Sequence, residues 1–120
     1  MPRPGSRLRS EVQHLRRTGS VFRGRWLHVR ACRSTEDRIF ISVRKRFGKA
    51  VARNRARRRI RAVCREMAPH RSTGHLVIIS VGDGSAAAGF RDLRSEIFAA
   101  FGKLGLLHGS AIPPLGLLPR

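Results

Sequence analysis

The sequence predicts a two-layer α+β sandwich in which helices cover a sheet of about four strands. β-prone segments occupy about residues 22–43, a long amphipathic helix spans about 49–67, and a short apolar segment follows at 75–81. A strand, a long helix and another strand in succession favour a parallel βαβ unit. With a short helix before these elements and an amphipathic helix after them, the predicted order is αβββαβα.

The chain is predicted to begin with an arm and a short helix. Residues 1–9 contain two prolines and a glycine, and we expect a flexible basic arm ahead of one domain over residues 10–104. Ser10 can cap a short helix, and Gly19 is positioned to end it.

Two strands are predicted before the long helix. Residues 25–33 alternate between apolar and polar side chains, as a half-buried strand does. One face of that strand would carry Leu27, Val29 and Ala31, and the other Trp26, His28 and Arg30. The next strand would carry Ile39, Ile41 and Val43 on its apolar face. Because only a short polar link at 34–37 joins them, the two strands are expected to form an antiparallel hairpin.

The segments after the long helix complete the sheet and its cover. Residues 75–81 are apolar and rich in β-branched side chains, which predicts a central strand covered on both faces. The last helix, about 90–103, is expected to bury Phe90, Leu93, Ile97 and Phe101. Residues 105–120 contain prolines and glycines without periodicity and are predicted to form a flexible tail.

The long helix has two different faces. Its apolar stripe carries Ala52, Ala56, Ile60, Val63 and Met67. Roughly opposite lie Asn54, Arg57, Arg58, Arg61 and Arg65. Seven of the thirteen residues from 53 to 65 are arginine, and Glu66 is the only acid in the helix. Like charges four residues apart destabilise a helix by about 0.2–0.5 kcal/mol per pair, so we expect the arginine face to bind a polyanion.

The composition narrows the classes of partner. With 26 Lys+Arg against 7 Asp+Glu, the net charge of +19 favours nucleic acid or an anionic membrane surface. No apolar run approaches the roughly 18 residues of a membrane span, so we expect a soluble protein. The acids form no spaced carboxylate set of the kind that two-metal hydrolysis needs, which argues against a stand-alone nuclease. Cys32 and Cys64 lack metal-ligand spacing and are expected to be buried free thiols in a reducing cytoplasm.

One pattern is more specific than the composition. Residues 38–61 contain a strand ending in Ser42 and Val43, a loop Arg-Lys-Arg-Phe-Gly-Lys-Ala-Val, and an Arg-Asn-Arg helix beginning at Arg53. This combination closely resembles the signature of the bacterial ribonuclease P protein subunit, and the resemblance covers about residues 7–107. A ribosomal protein or a general RNA-binding module fits the composition equally well, so only the pattern at 38–61 separates the two interpretations.

The resemblance implies a function. Proteins of that family pair with a large catalytic RNA and aid the endonucleolytic removal of the 5′ leader from precursor tRNA, while the RNA and its Mg²⁺ ions perform the hydrolysis. No catalytic residue and no direct metal ligand is therefore expected on the protein, although Asn54 is expected near an RNA-bound Mg²⁺. One protein monomer is expected to bind one RNA in the cytoplasm, without a membrane partner. The implied fold is ribosomal-protein-like, with a left-handed βαβ crossover that is a rare exception to the right-handed rule.

Two RNA-binding surfaces are also implied by the resemblance. A basic loop and helix that contact the catalytic RNA would comprise Lys45, Arg46, Lys49, Arg53, Asn54, Arg55, Arg57, Arg58, Arg61 and Arg65. A cleft between the first helix and the sheet, which grips the single-stranded leader, would comprise Val12, Leu15, Arg16, Phe22, Trp26, His28, Arg30 and Phe40. The sequence departs from the family here, since the first helix lacks the usual aromatic residues and Arg30 stands where tyrosine is common. Trp26 is the preferred candidate for a side chain on which leader bases stack.

Overall fold

The structure, a computed structural model, describes residues 13, 15, 19–82 and 88–108. It contains four strands, β1 (Ser20–Arg23), β2 (Leu27–Arg33), β3 (Arg38–Val43) and β4 (His75–Val81). Two helices have complete bounds, α1 (Ala50–Met67) and α2 (Phe90–Lys103). Gln13 and Leu15 are also helical, whereas the predicted arm and the Ser10 cap lie outside the described residues. The α+β class is confirmed, and the long helix, the strand at 75–81 and the last helix lie where the sequence predicts them.

The strands form one mixed sheet in the order β1-β2-β4-β3. β4 is parallel to β3 and antiparallel to β2, which confirms the parallel βαβ unit formed by β3, α1 and β4. The predicted hairpin of β2 with β3 is wrong, because β4 lies between these strands and β2 forms its hairpin with β1. The link at 34–37 crosses two strand spacings, about 10 Å, which four extended residues can span. Placing β4 in the centre buries its continuous apolar run from Leu76 to Ile79.

The two faces of the sheet have different covers. Leu27, Val29 and Ala31 of β2 belong to a core that the sheet shares with both helices. On the opposite face, Leu15 packs against Leu76 and Ile78, with Cys32 and Phe40 beside them. The burial pattern of β2 therefore agrees with the predicted alternation at these positions.

α2 packs on the helix-covered face, with one difference from the prediction. Leu93, Ile97 and Phe101 are buried as predicted, but Phe90 is 41% exposed. Phe90 is the first residue of the helix, and side chains on a helix tilt towards its N-terminus. Its ring therefore projects past the end of the helix instead of onto the sheet.

The domain extends beyond the predicted boundary at residue 104. Gly105 has a φ of 71° and follows the last turn of α2. The N–H of Leu106 donates to the carbonyl of Phe101 at 2.8 Å, and that of Gly105 to Gly102 at 3.2 Å, which is the Schellman pattern. This reversal buries Leu106 and Leu107 in the core and pairs Leu107 with Arg71 in an isolated bridge. The predicted flexible tail is thus wrong for residues 105–108, and residues 109–120 lie outside the described ranges.

Candidate nucleic-acid interface

The orientation of α1 is set by its apolar stripe. Ala56, Ile60, Val63 and Met67 are buried against the sheet and α2. A helix held on that side must turn the opposite one outwards, and Asn54, Arg58, Arg61 and Arg65 are exposed while Arg57 is half-buried. The predicted division of this helix into an apolar and an arginine face is confirmed.

The exposed side of α1 forms an open concavity of about 730 Å³, which we call the arginine face. Its lining residues are Val51, Asn54, Arg57, Arg58 and Arg61. Nη1 of Arg57 donates to Oδ1 of Asn54 at 3.2 Å. This bond gives the neutral Asn54 a function among the arginines, because it orients one guanidinium while its own amide group keeps two donors.

Not every predicted helix residue belongs to the arginine face. Arg53 and Arg55 do not line the concavity. Arg55 is eleven residues, close to three turns, before Glu66, so these two residues lie on the same flank of α1. The sequence correctly places the basic residues on the helix. They are distributed around more of its circumference than one flat ligand surface can contact.

The basic loop continues the same surface towards β3. Lys45 and Arg46 lie in a 3₁₀ turn, Lys45–Phe47, directly before α1, and both are exposed. Phe47 packs against the core and anchors the turn. Lys49, also exposed, precedes the first helical residue, and its carbonyl accepts the N–H of Arg53 at 3.0 Å. The loop and helix predicted from one sequence pattern are therefore adjacent in space.

No acid in the described ranges forms an ion pair with the arginines of the arginine face. Glu66, the only acid of α1, forms a two-point ion pair with Arg94 of α2 instead, with Nε of Arg94 2.7 Å from Oε2 of Glu66. The hydrogen bond from Arg94 holds the pKa of the Glu66 carboxyl below its usual value.

The other acids in the described ranges are engaged as well. The Asp37 carboxylate pairs with Arg71, whose hydrogen bond lowers the pKa of Asp37, and Glu36 lies 3.2 Å from Nε of Arg38. Asp92 accepts the N–H of Gly89 at 3.2 Å at the start of α2, and Glu96 accepts backbone N–H groups. Within these ranges no group of three or more His, Cys, Asp or Glu side chains could hold a metal ion. The described carboxylates therefore serve the fold.

The sheet face opposite the helices carries part of the predicted leader cleft. His28 is exposed and Arg30 is half-buried. In the register with β1, His28 pairs with Arg23 and Arg30 pairs with Val21. Phe40 lies on the same face and packs against the cluster around Leu15. His28, Arg30 and Phe40 are therefore brought together on one face, as predicted.

Other residues of the predicted cleft lie elsewhere. Leu15 is fully buried, so it supports the face from within instead of contacting a ligand. Phe22 packs against the core on the helix-covered face, because it is paired in register with Val29, whose side chain points there. Assigning Phe22 to the cleft is therefore wrong. Val12 and Arg16 lie outside the described residues.

Trp26 also differs from its predicted position. It precedes β2, is half-buried and packs against the core, so its ring is not freely exposed on the sheet face beside His28 and Arg30. The cause lies in α2, where Oε1 of Glu96 accepts the backbone N–H groups of Trp26 at 2.8 Å and of Leu27 at 2.9 Å. These bonds hold the start of β2 against α2.

A second cavity, of about 170 Å³, lies beside Trp26. It is lined by Arg25, Trp26, Leu27, His28, Arg44, Ser80, Val81 and Gly82. The guanidinium carbon of Arg25 is 4.6 Å from the centroid of the Trp26 ring, a cation–π contact. Sequence reasoning did not identify Arg25, Arg44 or Ser80, because these residues meet only once three strands are aligned.

The fold and these surfaces define an α+β domain with one strongly basic surface. An arginine-rich helix packs on one face of a four-stranded sheet, and a basic loop precedes it. None of the described helices is long and apolar enough to cross a membrane. A family model described as Ribonuclease P matches residues 6–105. The chain belongs to the ribonuclease P protein family.

Individual relatives agree with this assignment. A protein of Thermus aquaticus named ribonuclease P protein component is 34% identical over 112 residues, which cover 89% of this chain and 67% of the relative. The protein of the same name from Chloroflexus aggregans is 34% identical over 119 residues, covering 94% of this chain and 87% of the relative. The chain spans only 55% and 59% of the length of the relatives from Thermus scotoductus and Thermus oshimai.

A solved structure shows the same fold. The Staphylococcus aureus RNase P protein superimposes with a TM-score of 0.75 at 18% identity, over 90% of this chain and 96% of that one. The family resemblance seen in the sequence is thereby confirmed, and the α+β sandwich is shared with a structurally characterised member.

Proposed function

We propose that this chain is the protein subunit of ribonuclease P. In this role it binds the catalytic RNA and the 5′ leader of precursor tRNA and aids the endonucleolytic removal of the leader. The observation that carries the proposal is the arginine face, with which no acid of the described ranges pairs, on a chain of the ribonuclease P family. Arginine forks match phosphate oxygens in a planar, two-point geometry that suits a folded RNA backbone.

Two surfaces of the protein would bind two different RNA segments. The arginine face and Lys45, Arg46 and Lys49 would contact the catalytic RNA, with Arg57 oriented by Asn54. His28, Arg30 and Phe40 on the opposite sheet face would contact the leader. Arg30, where an aromatic residue is common in the family, would hold a leader phosphate instead of stacking on a base, so leader binding should depend on salt.

Hydrolysis is assigned to the RNA and its Mg²⁺ ions. The described carboxylates of this chain are engaged in ion pairs and backbone hydrogen bonds, and they form no magnesium site. Asn54 would lie close to an RNA-bound Mg²⁺, with one lone pair of its amide oxygen used by Arg57. The contribution of the protein would be binding and positioning of the substrate.

A one-to-one complex in the cytoplasm is the proposed setting. Cys32 and Cys64 are both free thiols, and burial raises the pKa of Cys64 to about 11. Free, unreactive thiols suit a reducing compartment. A single protein monomer would bind one RNA molecule through the surfaces described above.

A reconstituted cleavage assay tests the proposal. Precursor tRNA is incubated with the protein alone, with the ribonuclease P RNA alone at low Mg²⁺, and with both. We expect correct leader removal only when the RNA is present, and a stronger reaction when the protein is added. Cleavage by the protein alone would indicate a nuclease in its own right, and co-purification with ribosomal particles instead of a single RNA would indicate a ribosomal protein. Either result would overturn the proposal.

A further inference from the structure

The cavity beside Trp26 occupies a distinctive place in the fold. In the sheet register Leu27, Val81 and Val43 lie side by side on β2, β4 and β3. The residues just outside these three positions, Trp26, Gly82 and Arg44, therefore meet at one end of the sheet. Arg44 also begins the basic loop, so the cavity lies between the sheet face and the surface formed by the loop and α1.

The Trp26 ring itself is poorly placed to stack on a base. One of its faces is covered by the Arg25 guanidinium, and the ring also packs against the core. The two hydrogen bonds that Glu96 accepts from Trp26 and Leu27 restrain the backbone at this point. A base could reach the ring face only by displacing Arg25.

Arg25 is better placed than Trp26 to stack on a base. Its side chain is exposed, and within the described ranges no carboxylate pairs with it. Its contact with the indole holds the guanidinium over the ring, which leaves the outer face of that cation open. Nucleic-acid bases stack on guanidinium planes as they do on aromatic rings, and the N–H edges can bond a phosphate at the same time.

The rest of the cavity supplies complementary groups. His28, Arg44 and Ser80 are among the residues that line it, and their side chains carry an imidazole, a second guanidinium and a hydroxyl. Leu27 and Val81, whose side chains are buried in the core, also line it. A volume of about 170 Å³ suits one flat ring system with part of its sugar.

We propose that Arg25, held over Trp26, is a stacking platform for one unpaired nucleotide of RNA, whose phosphate lies towards Arg44. Trp26 acts through Arg25 as a positioning residue. The ligand class rests on the proposed function, since an RNA partner is assumed. The platform would connect the sheet face to the basic loop through a single nucleotide.

The test measures binding of the full chain to a labelled eight-nucleotide oligouridylate by fluorescence anisotropy, with an abasic oligomer of equal charge in parallel. Arg25→Ala should weaken binding of the oligouridylate about tenfold, the value of one stacked base. Arg25→Lys should weaken binding nearly as much, because it keeps the charge and removes the planar guanidinium.

Arg33→Ala is the matched control, since it removes another exposed arginine, at the other end of β2. We expect it to lose about twofold or less. On the abasic oligomer, Arg25→Ala and Arg33→Ala should have equal effects.

A second comparison tests the positioning role. If Trp26 acts through Arg25, Arg25→Ala combined with Trp26→Ala should bind no more weakly than Arg25→Ala alone. Thermal unfolding shows whether the tryptophan variant is folded, and Arg25→Lys carries the test if it is not. The platform is overturned if Arg25→Lys binds like the wild type, if Arg25→Ala matches Arg33→Ala, or if the wild-type chain does not bind the oligomer. Binding to the catalytic RNA is measured separately, so that failure of the platform leaves the proposed function standing.

Discussion

Nε of Arg94 on α2 lies 2.7 Å from Oε2 of Glu66 on α1, and a second hydrogen bond completes a two-point ion pair between the two helices. Arg94 is only 6% exposed, and its guanidinium also lies 4.7 Å from the centroid of the Phe98 ring. The one acid of the arginine-rich helix therefore holds α2, and the arginine face of α1 keeps its full charge.

This ion pair should contribute to stability. Glu66→Ala leaves the Arg94 cation buried without its partner, and we expect a loss of about 1–3 kcal/mol in the free energy of unfolding. Arg91→Ala is a suitable control, because it changes one exposed charge on the same helix and should cost about 0.5 kcal/mol or less. Urea denaturation measures both. Equal losses in the two variants would show that the pair is energetically unimportant.

Acid should weaken the fold through Glu66 and Asp37. Hydrogen bonds from Arg94 and Arg71 lower the pKa of these carboxyls from 4.5 and 3.8 respectively. A group with a lowered folded pKa stabilises the protein above its unfolded pKa, and that stability is lost as the pH falls through the folded value. The free energy of unfolding should therefore fall as the pH is lowered from about 5 to 3. Asp37→Asn combined with Glu66→Gln should have a flatter profile, and an unchanged slope would contradict this origin.

The absence of a side chain at Gly24 should matter because of Glu96. A Cβ at residue 24 would lie 1.9 Å from Oε1 of Glu96, so Gly24→Ala must displace the carboxylate that accepts the N–H groups of Trp26 and Leu27. We expect Gly24→Ala to cost about 1–3 kcal/mol in the free energy of unfolding. In a Glu96→Ala background the same substitution should cost much less, because its clash partner is gone. Additive losses in chemical denaturation would show that the two residues do not interact.

The arginine face should account for the salt dependence of RNA binding. Arg57→Ala with Arg61→Ala should weaken binding to the ribonuclease P RNA and reduce the slope of log K against log salt by about one to two, since fewer counterions are released. The control removes two exposed charges from α2, Arg91→Ala with Lys103→Ala, and should leave the slope nearly unchanged. Filter binding over a range of salt concentrations measures both. A slope that falls equally in the two variants would mean that only total charge matters.

The features that could be predicted from the sequence are those encoded locally. The stripe of Ala56, Ile60 and Val63 depends only on helical spacing, and its burial confirms the orientation predicted for α1. The basic loop is contiguous with that helix in the chain, so its place beside the arginine face could also be predicted. The apolar run from Leu76 to Ile79 indicated a central strand by composition alone.

The features that were missed depend on contacts between distant segments. A short link favours a hairpin of β2 with β3. In the sheet, however, β4 lies between these two strands, where its apolar side chains are buried. Phe22 and Trp26 differ from their predicted positions for a related reason. Phe22 follows its register with Val29, and Trp26 is held by Glu96, seventy residues away.

The sequence by itself determined the α+β class, the two-faced helix and the family, because periodicity, charge and a contiguous motif are properties of neighbouring residues. Only the tertiary structure decided that Glu66 bonds Arg94 rather than the arginines of its own helix. It also decided that Arg25, Arg44 and Ser80 share one cavity. These relationships arise from strand register and helix packing, which no stretch of the chain encodes alone.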